Sequence, residues 1–132
     1  MNKVVARFAD GRIIKGVTAD FFPTKDLFHV NVTGTLASEE PVEIRTQELK
    51  ALFFVKDLVG DPQHVERKEF DAAHPPAGRK IIVKFKDGEV LVGTTSGYQP
   101  ERPGFFLVPA DPTSNIERCY VVAAAAEKIS FF

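Results

Sequence analysis

Three histidines and one cysteine are the nitrogen and thiolate ligands that this 132-residue sequence could offer a transition metal. They are His29, His64, His74 and Cys119, and no two of them have the two-to-four-residue spacing that is typical of zinc sites. His64 and His74 fall in a polar segment, whereas His29 falls in a run typical of a β-strand. We therefore expect solvated or packed histidines, no metal site and no bound cofactor.

Covalent catalysis would require Cys119 or a serine beside a base. Cys119 lies in an apolar run, where a thiol behaves as a small hydrophobic residue. The serines do not lie in nucleophile-elbow sequences (Ser38, Ser96, Ser114, Ser130). Asp10 and Asp87 could be mistaken for paired carboxylates, but each precedes a glycine, so a turn explains both. We expect no catalytic residue and no enzyme activity.

Two short segments combine aromatic residues, a proline and a basic residue, a set that suits the binding of peptides or nucleic acid. The candidate binding residues are Phe21, Phe22 and Lys25 in the first segment, and Tyr98 and Arg102 in the second. The competing interpretation is that these aromatic rings fill the end of a small β-barrel or pack between two such units. We favour this packing role, because very small domains have little core of their own.

An internal repeat organises the elements that position these residues. Residues 3–55 align with residues 80–132 without a gap, at a constant separation of 77. Ten positions are identical in the two copies (Lys3/Lys80, Phe8/Phe85, Asp10/Asp87, Gly11/Gly88, Gly16/Gly93, Thr18/Thr95, Pro23/Pro100, Phe28/Phe105, Glu40/Glu117, Phe54/Phe131). Most of them are glycine, proline, phenylalanine or turn residues, which backbone conformation or core packing requires. The sequence therefore predicts a duplicated unit.

Each copy is predicted to begin with a β-hairpin. Asp10-Gly11 and Asp87-Gly88 separate β-rich runs, and Asp-Gly favours a hairpin turn because the glycine adopts positive φ. Gly16 and Gly93 then fall inside the second strand, where a glycine is typical of a bulge or bend. A bent second strand would allow a short sheet to curl into a small barrel.

Three further strands are predicted in each copy, near 27–32, 42–45 and 51–55 and near 104–108, 119–122 and 128–132. Between the last two strands of each copy, residues 46–49 and 123–126 favour helix over strand. We expect a single 3₁₀ or α-helical turn at both places.

Five short strands with a helical turn before the fifth resemble an SH3-like or Sm-like barrel. The segment from Asp10 to Thr18 resembles the first Sm signature, and the segment from Val42 to Leu52 resembles the second. This resemblance implies an all-β chain of two tandem five-stranded SH3-like/Sm-like barrels related by internal duplication. The Asp-x-x-x-Asn loop through which Sm-type proteins contact RNA bases is not found, so the resemblance concerns the fold and not RNA binding.

The whole chain also resembles an uncharacterised bacterial family. The stretches that carry this resemblance are 53–57, 85–89, 103–107 and 109–112. The resemblance implies occurrence beside bacterial signalling domains such as PilZ, and no known activity. The Arg-x-x-x-Arg and Asp/Asn-x-Ser-x-x-Gly motifs through which PilZ domains hold cyclic dinucleotides are missing, so binding of cyclic di-GMP is not expected.

Charge and composition limit the classes of partner. The chain has 17 basic and 18 acidic side chains, and it lacks the excess of Lys and Arg that phosphate binding requires. A single cysteine excludes an intramolecular disulfide. Charges near the N-terminus argue against a signal peptide, and no apolar run approaches the ~20 residues of a membrane span. We expect a cytoplasmic protein without a membrane partner.

These observations predict three segments and a binding function. The segments are a first small β-barrel repeat (1–57), a charged linker containing Pro and Gly (58–79) and a second repeat (80–132). The hypothesis is a non-enzymatic protein-binding or scaffolding module in bacterial signalling, whose partner is another protein or a second copy of the chain. The alternative is Sm-like binding of RNA or single-stranded DNA. The sequence does not determine the partner, the oligomeric state or the face used.

Overall fold

The computed structural model describes residues 1–34, 39–60, 63–70 and 78–132. Ser38, His74 and parts of the predicted linker (61–62 and 71–77) lie outside the described residues. The described chain is all-β, as predicted, with ten strands and two 3₁₀ turns, Thr46–Glu48 and Ala123–Ala125. The strands are β1 (Asn2–Phe8), β2 (Ile13–Thr18), β3 (Leu27–Val32), β4 (Val42–Arg45), β5 (Leu49–Val55), β6 (Arg79–Phe85), β7 (Val90–Thr95), β8 (Gly104–Pro109), β9 (Ile116–Val122) and β10 (Ala126–Phe131). Within the described ranges, no helix is both long and apolar enough to cross a membrane.

The ten strands form one open antiparallel sheet in the order β10-β6-β7-β8-β9-β5-β1-β2-β3-β4. The first five strands form one continuous block and the last five form another, here called the first half and the second half. β5 and β9 join the two halves, from Ala51 opposite Val121 to Val55 opposite Ile116. This pairing makes the sheet continuous, and the described strands do not close into a barrel: β4 and β10 are the two edges of the sheet.

Both hairpin turns contain the glycine of positive φ that the Asp-Gly sequence predicts. Gly11 and Gly88 have φ of 97° and 95°, a conformation that a side chain would strain. Asp10 Oδ1 accepts a hydrogen bond from the Arg12 backbone N–H at 3.0 Å, and Asp87 Oδ1 accepts one from the Glu89 N–H at 3.0 Å. The aspartates therefore stabilise the turns, as the sequence predicts, and their recurrence reflects a backbone requirement.

At Gly16 and Gly93 the backbone of the next strand lies so close that there is no room for a side chain. A Cβ atom on Gly16 would lie 2.1 Å from the Asn31 carbonyl oxygen, and one on Gly93 would lie 2.1 Å from the Val108 carbonyl oxygen. The pairing of the second strand with the first runs through each glycine without a register shift, and its pairing with the third strand starts at each glycine. The register shows no bulge at either glycine, whereas the bend, which was the other prediction, stays a prediction. The glycines permit the second and third strands of each half to pack closely.

At the seam between β5 and β9, β5 is buried on both faces. Successive side chains of a strand point to opposite faces, yet every residue of β5 is buried. Leu52, Phe54 and Tyr120 belong to a first hydrophobic cluster, with residues of β1, β3 and β4. Phe53 and Cys119 belong to a second cluster, with residues of β6, β7 and β8. Because β5 and β9 contribute to both clusters, the seam is part of the core.

Candidate functional site

Phe21, the first of the predicted site residues, packs between the two halves. Its ring makes edge-on contacts with Phe28, Phe54, Phe106 and Tyr120, at centroid distances of 5.2, 5.8, 6.3 and 5.3 Å. Contacts of this geometry add to the free energy gained from burial of the rings. Phe106 and Tyr120 come from the second half, so Phe21 has the packing role that competed with ligand binding.

Tyr98 has a matching position in the second half. Its ring lies edge-on to Phe105 at 5.0 Å and is tilted against Phe131 at 5.1 Å. It is partly buried against the second cluster. The two aromatic residues that begin the loops, Phe21 and Tyr98, are therefore both partly buried against the core.

Phe22 is different, because its ring remains in solvent. The side chain is 49% exposed, although it follows the packed Phe21 directly. The Lys25 backbone N–H donates to the Phe22 carbonyl at 3.0 Å and closes a four-residue turn around Pro23 and Thr24. Lys25 Nζ lies 5.0 Å from the centroid of the Phe22 ring. The turn thus presents an apolar ring and a cation side by side, here called the Phe22 surface.

The second half forms the same turn without an aromatic side chain. The Arg102 backbone N–H donates to the Gln99 carbonyl at 3.1 Å, and Arg102 Nε donates to Gln99 Oε1 at 2.9 Å. Gln99 stands 77 residues after Phe22, at the corresponding position of the repeat. The turn therefore does not need the phenylalanine, and the exposed ring of Phe22 is not explained by local folding.

A buried amine crosses the seam, and the sequence analysis missed it. The Lys50 side chain in β5 is 8% exposed, and its Nζ donates to Asp87 Oδ2 at 2.6 Å and to Glu89 Oε1. The same Nζ lies 4.7 Å from the centroid of the Phe85 ring. The hydrogen bond from Lys50 and the one from the Glu89 N–H hold the pKa of Asp87 below its usual value. These contacts join the first half to the β6–β7 turn.

One histidine and two carboxylates meet where residues 63–70 contact the second half. His64 Nε2 lies 3.0 Å from Asp111 Oδ2 and 3.3 Å from Glu66 Oε2. Among the described residues these side chains form a group whose ligand atoms lie within 4.8 Å of one another. Such atoms are ligand types for a divalent cation, but here they are also paired with one another. The side chain of His64 is 30% exposed, and the sequence analysis did not predict that it meets these two carboxylates.

Within this group, Asp111 is the residue whose side chain is held in place by hydrogen bonds from the backbone. Its side chain is fully buried, and it accepts hydrogen bonds from the Arg67 N–H at 2.9 Å and from the Thr113 N–H and hydroxyl at 2.8 and 2.7 Å. Burial raises the pKa of Asp111, but the hydrogen bonds from Arg67, Thr113 and His64 outweigh it and hold the pKa well below its usual value. Asp111 therefore anchors residues 63–70 as a buried anion.

A groove of about 740 Å³ is bordered by the first half, by residues 56–60, which follow β5, by His64 and Glu66, and by residues of the second half that include 113–116. Its described lining includes three cations (Arg7, Lys15, Lys56) and three carboxylates (Asp57, Glu66, Glu89). Binding of a nucleic-acid backbone depends on an excess of Lys and Arg. Because the charges in this groove balance, the groove does not favour a polyanion.

Cys119 is a packed core residue. It is 0% exposed in β9, and burial raises the pKa of its thiol. A cysteine nucleophile requires an accessible thiolate with a lowered pKa. The geometry therefore agrees with the prediction that Cys119 behaves as a small hydrophobic residue.

The model of a family of unknown function, DUF6982, matches residues 1–132, so the chain belongs to that family. No curated protein and no solved structure matches it. Membership assigns no activity, and the expected occurrence beside PilZ domains stays a prediction.

Proposed function

We propose that this member of DUF6982 is a non-enzymatic protein-binding or scaffolding module of bacterial signalling systems, acting in the cytoplasm through the Phe22 surface. The observation that carries the proposal is the 49% exposed ring of Phe22 on a turn that forms equally well with Gln99 in its place. Protein interfaces are enriched in aromatic residues, and a few such anchors supply most of the binding free energy.

The chemistry of the Phe22 surface defines the kind of partner. The ring offers apolar area, and Lys25 Nζ at 5.0 Å from its centroid offers a cation. A partner with an apolar pocket and a carboxylate at its rim would match both groups. The second half carries Arg102 but no exposed ring at this turn, so the two halves do not offer the same surface.

We further propose that the two halves are duplicated five-stranded SH3-like/Sm-like units that share one sheet. Three observations support this architecture. The two blocks of the sheet have the same internal strand order. Their hairpin turns place a glycine of positive φ at corresponding positions, Gly11 and Gly88. Their second strands have a glycine in close contact with the third strand, Gly16 and Gly93.

The test is capture of partners with a variant that changes only the Phe22 surface. Phe22→Gln gives the first turn the residue that the second turn already has, so the fold is preserved. Val108→Asn is the matched control, because Val108 is 50% exposed and its counterpart in the first half is Asn31. Tagged wild-type and variant proteins are incubated with lysate of a bacterium that encodes the chain, and captured proteins are identified by mass spectrometry.

We expect the wild type and Val108→Asn to retain the same protein and Phe22→Gln to lose it. Equal capture by all three proteins would show that the Phe22 surface is not the contact. A parallel titration with labelled single-stranded RNA and DNA tests the Sm-like alternative. Saturable binding that weakens steeply with salt would replace the proposal with nucleic-acid binding.

A further inference from the structure

Among the described residues, the two edge strands of the sheet, β10 and β4, correspond to the two strands of the seam. At the repeat separation of 77, β10 corresponds to β5 and β4 corresponds to β9. β5 and β9 pair with each other inside the chain, but β10 and β4 lie at opposite ends of the sheet. We propose that a second copy of this chain supplies the missing pair, with β10 of one copy joined to β4 of the next. This proposal does not involve the Phe22 surface.

The edge strands show apolar side chains that their seam counterparts bury. Val55 is 7% exposed, whereas the corresponding Phe132, which directly follows β10 and whose ring lies 5.8 Å from that of Phe70, is 62% exposed. Cys119 is 0% exposed, whereas the corresponding Val42 is 38% exposed. No residue of β10 is buried, although every residue of β5 is. A partner strand on each edge would remove these side chains from water, as the seam does.

One ion pair of the seam has a counterpart of opposite polarity at the proposed junction. At the seam, Lys50 of β5 meets Asp87 and Glu89 of the β6–β7 turn. The corresponding residues are Glu127 of β10, and Asp10 and Arg12 of the β1–β2 turn. Thus the cation Lys50 is replaced by an anion, and the anion Glu89 is replaced by a cation.

In the Glu127–Arg12 pair both signs are reversed, so this attraction is preserved, whereas Asp10 keeps the negative charge of Asp87 and pairs with Arg12 in its own chain. Glu127 of one copy would face Arg12 of the next copy. Both side chains are available, since Glu127 is 55% exposed and Arg12 is 61% exposed. In one chain Glu127 contacts Lys84 at 3.6 Å and Arg12 contacts Asp10 at 2.8 Å. The Lys84–Glu127 pair of one copy and the Arg12–Asp10 pair of the next would therefore form one neutral cluster.

The register of the seam predicts which residues of β10 and β4 would lie opposite each other, and the polarity of those residues predicts how tightly the copies associate. Ala51 opposite Val121 and Phe53 opposite Cys119 correspond to Lys128 opposite Ile44 and Ser130 opposite Val42. The new junction is more polar than the seam. Pro41 precedes β4 and has no N–H to donate, which limits the pairing to the four residues of β4. We therefore expect reversible association that depends on protein concentration.

The contact joins two different surfaces, so it repeats head to tail. Each copy offers β10 to one neighbour and β4 to another. Interfaces of this kind form closed rings when the rotation between copies closes, and open chains when it does not. In both cases the particle mass exceeds that of the 14.6 kDa chain.

The test is sedimentation velocity of the full chain over a range of concentrations, with single and double charge reversals. Arg12→Glu copies the Asp-Gly-Glu of the second turn, and Glu127→Arg places a cation where the first half has Lys50, so neither change should disturb the fold. Glu101→Lys, on an exposed residue of the loop between β7 and β8, two interior strands of the sheet, is the control. We expect the wild type and control to associate as concentration rises, each single reversal to weaken association about tenfold, and the double reversal to restore it.

A wild type that is monomeric at every concentration would overturn the inference, as would association that the single reversals leave unchanged. Single reversals that weaken association without rescue by the double variant would also contradict the Glu127–Arg12 contact. A monomer that still captures a partner through Phe22 would refute this inference alone and leave the proposed function in place.

Discussion

Lys50 Nζ lies 2.6 Å from Asp87 Oδ2, so the charge of a buried amine in the first half is neutralised by a hairpin turn of the second. The two residues are 37 positions apart in the chain. Lys50 is 8% exposed, whereas the side chains of Asp87 and Glu89 are 56% and 39% exposed. The Lys50 ammonium is therefore shielded from water, whereas the two carboxylates that it contacts remain accessible to water.

That difference predicts an asymmetric response to mutation. The double variant Asp87→Asn, Glu89→Gln leaves the buried ammonium without a counter-charge and should lower the free energy of unfolding by about 2 kcal/mol. Lys50→Met leaves only partly exposed carboxylates, which water still solvates, and should cost less than about 1 kcal/mol. Urea unfolding of both variants at neutral pH measures the two losses. A larger loss for Lys50→Met would contradict this account.

The close approach at Gly16 and Gly93 predicts that a single methyl group is harmful there. A Cβ atom at either position would lie 2.1 Å from a backbone oxygen, so the strands must separate. We expect Gly16→Ala and Gly93→Ala each to destabilise the protein by about 3 kcal/mol or to prevent folding. Gly97→Ala is the matched control, because its Cβ would meet nothing within 4 Å. Urea melts that are equal for all three variants would show that the strands can adjust.

The shared core predicts that the first half does not fold alone. A fragment of residues 1–58 would expose Phe53, Val55 and Ala51, which the second cluster covers in the whole chain. It would also lose the pairing of β5 with β9. We expect this fragment to lack a cooperative thermal transition, as followed by circular dichroism. A cooperative melt would instead show that residues 1–57 are an independent domain.

The lowered pKa of Asp111 predicts a defined pH dependence. Because the folded-state pKa lies below the unfolded value of about 4, Asp111 contributes its full stabilisation above that pH. The contribution is lost as pH falls through the folded-state pKa. Asp111→Asn should therefore be about 2 kcal/mol less stable than the wild type at pH 7, with a smaller difference below pH ~4.

The measurement is urea unfolding of the wild type and Asp111→Asn at pH 7, 5 and 3, with Glu101→Gln as a control for loss of an exposed carboxylate. A difference between wild type and Asp111→Asn that stays constant from pH 7 to pH 3 would mean that the ionised form of Asp111 is not what stabilises the loop.

The elements that the sequence determined are those set by neighbouring residues. The Asp-Gly turns formed as predicted, because positive φ at glycine and a carboxylate two residues before an N–H are local properties. The helical turns before the fifth strand of each half are also present, as 3₁₀ turns at Thr46–Glu48 and Ala123–Ala125. The all-β class followed from the same local patterns and from the repeat.

The tertiary structure decided which of these elements meet. Phe21 and Phe22 are adjacent and identical in type, yet one packs on four rings and the other is 49% exposed. Asp111 meets His64 across 47 residues, and Lys50 meets Asp87 across the seam. The pairing of β5 with β9 creates the latter contact and merges two predicted barrels into one open sheet. Local patterns specify strands and turns, but which edge a strand joins depends on the free energy of burying whole faces together, and that is a property of the assembled chain.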